Sequence, residues 1–424
     1  MVFGRFLQDR KAGVVPILAV GLIPLMGMIG AAVDYSRAAS ARTAMQTALD
    51  STALMLSKTA QGLSDPQIDA KATAYFTSLF ARPEATNIAV TPVFTAPAAG
   101  NFKLVITASA NVSTMFWRVM GTQQLSITAN SEVVWGIKKL NLALALDNTG
   151  SMSNNNKMTE LKTAAKNLLT VLQAAEKTPG DIKVSIVPFA TDVNVGTTIA
   201  ASFIDWSDWD TKNGTCSNHN YSTQSSCLSN NKTWTAANHN TWNGCVWDRD
   251  QNNDVTDTAP VAGTSSTMFQ AHQASSCPVK LMPLSSDWTA LKAKVDAMSP
   301  TGNTNVTIGM TWAWHTISTK QPFNAPAEAP DLDKVIILLT DGENTQNRWS
   351  SSSSSIDART EKACTNAKAA NVRVYTVRVI NGDATLLRNC ATKTDMYYDV
   401  DQAVELNSVF SSIAQNLANL RIVK

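Results

Sequence analysis

The sequence predicts an α/β fold: a doubly wound, mostly parallel sheet with a disulfide-rich insertion, preceded by an N-terminal transmembrane helix and a small α+β module. Three observations carry this expectation. Ala12–Val33 contains no charged residue. From Lys138 onward, short apolar runs alternate with helix-patterned stretches. Between about Ser202 and Pro283 the alternation stops, and four of the six cysteines fall there. A length of 424 residues allows two or three domains. Hydrophobic residues, at 44%, supply real cores, while charged residues, at 16%, fall below the usual quarter of a soluble domain. The net charge of +2 comes without a basic block, which argues against nucleic-acid binding.

The uncharged run Ala12–Val33 would make roughly 33 Å of helix, enough for a hydrocarbon core of about 30 Å. Pro16 and Pro24 are tolerated in such a helix. Arg5, Arg10 and Lys11 precede it, so the positive-inside tendency puts residues 1–11 in the cytoplasm and the rest outside. A cleaved signal peptide, with Gly30, Ala31 and Ala32 before the cut, is the competing reading.

Residues 34–136 read as the α+β module. From Asp34 to about Ala60, an amphipathic helix is marked by Ala41, Met45, Leu49, Ala53, Leu54 and Leu56. A second helix is expected over Asp69–Leu79. Strands follow at Ile88–Phe94, Phe102–Ala108 and Leu125–Val134, with a turn at Gly100-Asn101.

Residues 138–424 read as the α/β domain. Leu142–Leu146, Val184–Phe189, Val335–Leu339 and Val372–Val379 are buried parallel strands. Met158, Leu161, Ala165, Leu168 and Leu172 mark one helix face. Trp288–Met298, Asp357–Ala370 and Ala403–Leu420 are further helices. This alternation implies right-handed βαβ units. The insertion, about 202–283, holds Cys216, Cys227, Cys245 and Cys277 with five tryptophans, and is too long to be structureless. Four cysteines allow three pairings; nearest neighbours, Cys216–Cys227 and Cys245–Cys277, are the expectation, with Cys364–Cys390 as a local bridge. Trp349–Ser355 is read as a mobile serine-rich loop. Asp248–Asp257 alternates Asp with Asn but lacks the glycine and final glutamate of a calcium loop, and is expected to be solvated.

The chemistry gathers at strand ends. The first strand closes in Asp147-Asn148-Thr149-Gly150-Ser151, which presents a carboxylate and alternate hydroxyls. The strand Val335–Leu339 runs into Thr340-Asp341-Gly342, and Gly302-Asn303-Thr304-Asn305 opens a helix. Open α/β sheets bind ligands at the carboxyl ends of their strands. Hard oxygen donors without His or Cys suit Mg²⁺ foremost, then Mn²⁺ or Ca²⁺. With two carboxylates and three neutral hydroxyls, the ion would stay electron-poor and accept an outside carboxylate.

These motifs resemble those of von Willebrand factor A (vWA) domains. Asp147, Thr149, Ser151, Thr304 and Asp341 match, one by one, the ligand positions of the metal-ion-dependent adhesion site (MIDAS). The family more often has serine at the Thr149 position; threonine keeps the hydroxyl. The resemblance covers about Lys138 to Lys424. Together with the N-terminal stretch Gly13–Met55, the chain resembles TadG-like proteins of the Tad/Flp pilus assembly system. The resemblance implies a single-pass bacterial inner-membrane protein with most of its chain periplasmic or extracellular. It also implies a partner that presents an acidic residue, such as a pilus component or surface ligand. A structural envelope protein with a non-binding spacer domain is the alternative. A Mg²⁺-dependent phosphatase of the haloacid dehalogenase type would need a second Asp where Thr149 stands, so no enzyme is expected.

Overall fold

The computed structural model describes residues 14–60, 63–95, 101–136, 139–327 and 331–420. The chain divides near residue 137 into two compact units.

In the smaller unit, helix α1 (Val14–Ser57) joins the apolar stretch and the amphipathic stretch into one element. Ala41, Met45, Leu49, Ala53 and Leu56 are fully buried at spacings of three and four, whereas Leu54, on the opposite face, is exposed. Helix α2 (Asp65–Leu79) starts where the Gln67 side chain accepts the Ser64 N–H at 3.0 Å. Strands β1 (Ala85–Thr95), β2 (Asn101–Ser113) and β3 (Gln124–Gly136) form an antiparallel sheet. Its inner face packs Leu104, Ile106 and Ile127 against Met45, Leu49 and Phe76. The expected turn at Gly100-Asn101 begins outside the described residues, and so does the expected anchor Ala12–Val33. Among the described residues no helix is long and apolar enough to cross a membrane.

In the larger unit, β4 (Lys139–Asp147), β5 (Ile182–Phe189), β6 (Leu332–Thr340), β7 (Arg373–Val379) and β8 (Tyr397–Val400) lie in the order β8-β7-β6-β4-β5, all parallel. β4 is central and buried on both faces, hence the unbroken apolar run Leu142–Leu146 within it. Its leucines 142, 144 and 146 face α3 (Lys157–Ala175), α4 (Trp288–Asp296) and α8 (Leu406–Leu420). Ala143 and Ala145, on the other side, leave room for α5 (Val306–Ile317), with its bulky Trp312, and for α6 (Ser353–Ala369) and α7 (Ala384–Cys390). Short α7 and β8 escaped the sequence reading because elements of seven and four residues leave little periodic signal.

The insertion is ordered and extends the sheet. Val193–Asn194 pairs antiparallel with β5 and with Cys245–Trp247, which pairs antiparallel with Phe269–Ala271. Buried Trp209 and Trp242 pack edge-on against Trp206 at 5.7 and 5.2 Å. All three expected disulfides are present: Cys216–Cys227, Cys245–Cys277 and Cys364–Cys390.

Two expectations fail. The serine-rich run is not a free loop: Asn347 Oδ1 accepts the N–H groups of Trp349 and Ser350 at 2.8 and 2.7 Å, and α6 begins at Ser353. Nor is Asp248–Asp257 solvated. Asp248, Arg249 and Asp254 are at most 4% exposed. Asp254 pairs with Arg359, Asp257 accepts from Ser318 and Lys320, and Arg249 donates to the carbonyls of Asn253, Thr256, Thr258 and Thr267. Buried charges need such partners. The alternating acids are a polar latch that ties the insertion to α5 and α6.

Candidate metal centre

β4 and β6 are adjacent and in register, so their carboxyl ends deliver Asp147 and Asp341 to one rim. Both are buried, at 0% and 1% exposure. Asp147 Oδ1 accepts the Thr149 N–H at 2.8 Å, and Oδ2 accepts the Thr340 hydroxyl at 2.6 Å. Ser151 Oγ lies 2.9 Å from Thr149 Oγ1 and donates to Asp341 Oδ1 at 2.6 Å. A Cβ built on Gly342 would stand 3.4 Å from Thr304 Oγ1 and 3.6 Å from Ser151 Oγ, so both hydroxyls lie close to that glycine. All five residues singled out in the sequence therefore meet at one rim. Thr149 and Thr304 are buried while Ser151 is half-buried, so the cluster opens to solvent at Ser151.

The Thr304 loop is held in place by residues the motif reading passed over. Gly150 donates its N–H to Gly302 O at 3.0 Å, which ties the first motif loop to the Thr304 loop. Asn148 exchanges two hydrogen bonds with Ser299, donating at 2.6 Å and accepting at 3.1 Å, and its carbonyl accepts the Thr301 N–H at 2.7 Å. Thr345 Oγ1 accepts the Thr304 N–H at 2.9 Å, and Asn344 Oδ1 accepts from Val306 N–H at 2.7 Å. Asn305 caps α5, while its amide reaches both oxygens of buried Asp248 at 3.0 and 2.9 Å. The only hint of these roles in the sequence is the density of Asn and Thr around the motifs.

Lys157 was also missed. Its ammonium, on a side chain 2% exposed, donates to Asp341 Oδ2. A lysine in the first turn of a helix works against the helix dipole. Its position makes sense as the counter-charge to two neighbouring buried carboxylates. Burial, then repulsion by Asp341, push the Asp147 carboxyl up to about 6, against the hydrogen bonds from Thr149 and Thr340. Among the described residues no three of His, Cys, Asp and Glu form a metal-holding group. This rim instead combines two carboxylates with three hydroxyls. That donor set, with one carboxyl destabilised by its like-charged neighbour, fits a hard divalent cation.

Two family models match parts of the sequence. Residues 13–55 match the family model described as putative Flp pilus-assembly TadE/G-like. Residues 251–412 match the von Willebrand factor type A domain. No curated protein matches the sequence. Similar solved structures include the pilus adhesin SpaC from Lactobacillus rhamnosus GG, 14% identical, covering 81% of this chain and 36% of that one at a TM-score of 0.40. The present chain thus spans about a third of that adhesin's length. The vWF domain of the type V pili tip protein Mfa5 from Porphyromonas gingivalis is 11% identical, covering 68% of this chain and 97% of that one at a TM-score of 0.39. Proximal thread matrix protein 1 from the mussel byssus, in a form with a zinc-occupied MIDAS motif, is 12% identical, covering 66% and 48% at a TM-score of 0.35. The chain accordingly carries a TadE/G-like pilus-assembly segment followed by a von Willebrand factor type A domain, the TadG-like arrangement that its motifs resemble.

Proposed function

We propose that this is a membrane-anchored, extracytoplasmic protein of Tad/Flp pilus assembly or surface adhesion that grips a protein partner through a divalent cation. The cation, Mg²⁺ foremost, would be held by Asp147, Thr149, Ser151, Thr304 and Asp341, and would supply a Lewis-acidic position for a partner's carboxylate. The observation that carries this reading is the meeting of those five oxygen donors at one rim, open at Ser151. The chain's own residues do the rest. Asp147 and Asp341 provide only two negative charges, both buried, and the three hydroxyls are neutral. Such a set leaves the cation short of donors, so an acidic side chain from outside completes it. No nucleophile or general acid is asked of the rim, and no covalent step follows. The apolar N-terminal segment, residues 12–33, would tether the chain to the inner membrane.

The test is calorimetric titration of the full chain with Mg²⁺, beside Asp147→Ala. The parent should take up one ion, and the variant should bind at least tenfold more weakly while folding normally, about 1.4 kcal/mol or more of lost binding energy. Equal affinities would remove Asp147 from the site and the adhesion reading with it.

A further inference from the structure

Among the described residues of its unit, the turn between β2 and β3 leaves an apolar surface largely open. Met115, Phe116, Val119 and Met120 are 64, 49, 89 and 73% exposed. Folded proteins seldom leave such a cluster open without use.

The turn is held against α1 by two devices. Asp34, at 2% exposure, accepts the backbone N–H groups of Met115, Phe116 and Trp117 at 2.9, 2.8 and 2.8 Å. The second device is steric. Phe116 lies over Gly30, where a Cβ would stand 2.5 Å from the Phe116 Cβ; at Gly27 a Cβ would lie 4.0 Å from the Met120 sulfur. The turn therefore reaches back along α1 from Asp34 by four to seven residues, or about 6–10 Å. Over the same stretch α1 also exposes Leu25, Met26, Met28, Ile29 and Val33, on faces of the helix that the turn leaves open.

We propose that the 115–120 turn is a second lipid-contacting element, which enters the bilayer beside α1 in the leaflet nearest the folded unit. The occupant is lipid rather than protein because the backbone of the turn is closed by an internal carboxylate. A turn in water has solvent for its N–H groups, whereas one entering hydrocarbon must satisfy them within the chain. Trp117 and exposed Arg118 suit the headgroup level, where indole and guanidinium groups collect. The inference rests on the membrane-anchor reading above and extends it from one helix to a two-element contact.

The experiment uses the full chain in vesicles of phosphatidylethanolamine and phosphatidylglycerol. All six native cysteines are in disulfides. Val119→Cys and Leu25→Cys therefore each accept a single environment-sensitive fluorophore. Both labels should be quenched by nitroxide-bearing lipids and shielded from aqueous iodide. If the label at 25 is quenched by lipid while that at 119 stays open to iodide, the turn inference is overturned and the anchor stands. If neither is quenched, the anchor reading falls and takes this inference with it. A label at 119 shielded from iodide yet untouched by nitroxide lipid means a protein occupant, and also overturns it. Asp34→Ala should reduce lipid quenching several-fold at 119 and leave 25 unchanged; unchanged quenching at 119 would refute the clamp.

Discussion

Replacing Lys157 by methionine should weaken the metal-free fold and tighten metal binding. The methionine keeps the length of the side chain and removes its charge. In the parent, Asp341 has both oxygens engaged, one by Ser151 and the other by Lys157. The variant leaves that carboxylate, with Asp147 beside it, buried without a counter-charge. Breaking a buried ion pair from one side costs about 3–5 kcal/mol. A divalent ion would return positive charge to the same carboxylates, so the loss should be smaller in saturating Mg²⁺. By the thermodynamic cycle, the difference between the two losses equals the gain in binding free energy. If the ion recovers about 2 kcal/mol, the variant binds roughly thirtyfold more tightly. Urea unfolding in EDTA and in excess Mg²⁺ measures both losses, and calorimetry measures the affinity directly. Of the eleven tryptophans only Trp117 and Trp135 precede residue 138, so fluorescence follows the larger unit. A variant as stable as the parent in EDTA, or one that binds Mg²⁺ more weakly, would refute Lys157 as the resident counter-charge.

Other outcomes can be checked independently. Burial pushes Asp248 up to about 6, so the folded state holds its proton more tightly than the unfolded chain and loses stability as pH rises from about 4 to 6. Asp248→Asn, which cannot titrate, should lack this loss of stability between about pH 4 and 6; denaturant curves across that range decide, and a variant with the parent's pH dependence would refute the assignment. Gly342→Val would fill the gap between the hydroxyls of Thr304 and Ser151 and should abolish Mg²⁺ uptake while leaving the circular dichroism spectrum intact. Removing the Cys245–Cys277 bridge, which closes a separation of 32 residues, should cost about 4 kcal/mol of stability in the larger unit, as read from chemical denaturation.

Much of the larger unit was legible because its signals are local. β4, β5, β6 and β7 are apolar runs ended by turn residues, and α3 buries Leu161, Leu168 and Leu172 at the expected spacing. The three motifs sit at strand ends and a helix start, so their convergence followed from topology. The disulfides of the insertion are as the sequence predicts, yet its acids, which the sequence predicts to be solvated, are buried. Alternating Asp and Asn looks the same in a solvated loop as in a buried latch. The difference lies in Arg359, Lys320, Arg348 and Asn305, all far away in sequence.

By itself, the sequence determined which residues carry oxygen donors, which runs must be buried and where the chain turns, since side-chain chemistry and periodicity are properties of short segments. Only the tertiary structure decided what each buried charge meets. Lys157 reaches Asp341 across 184 residues of chain, and Asp34 reaches the 115–117 backbone across more than 80. A charge taken out of water needs a partner, and its identity depends on which loops the sheet and helices bring together.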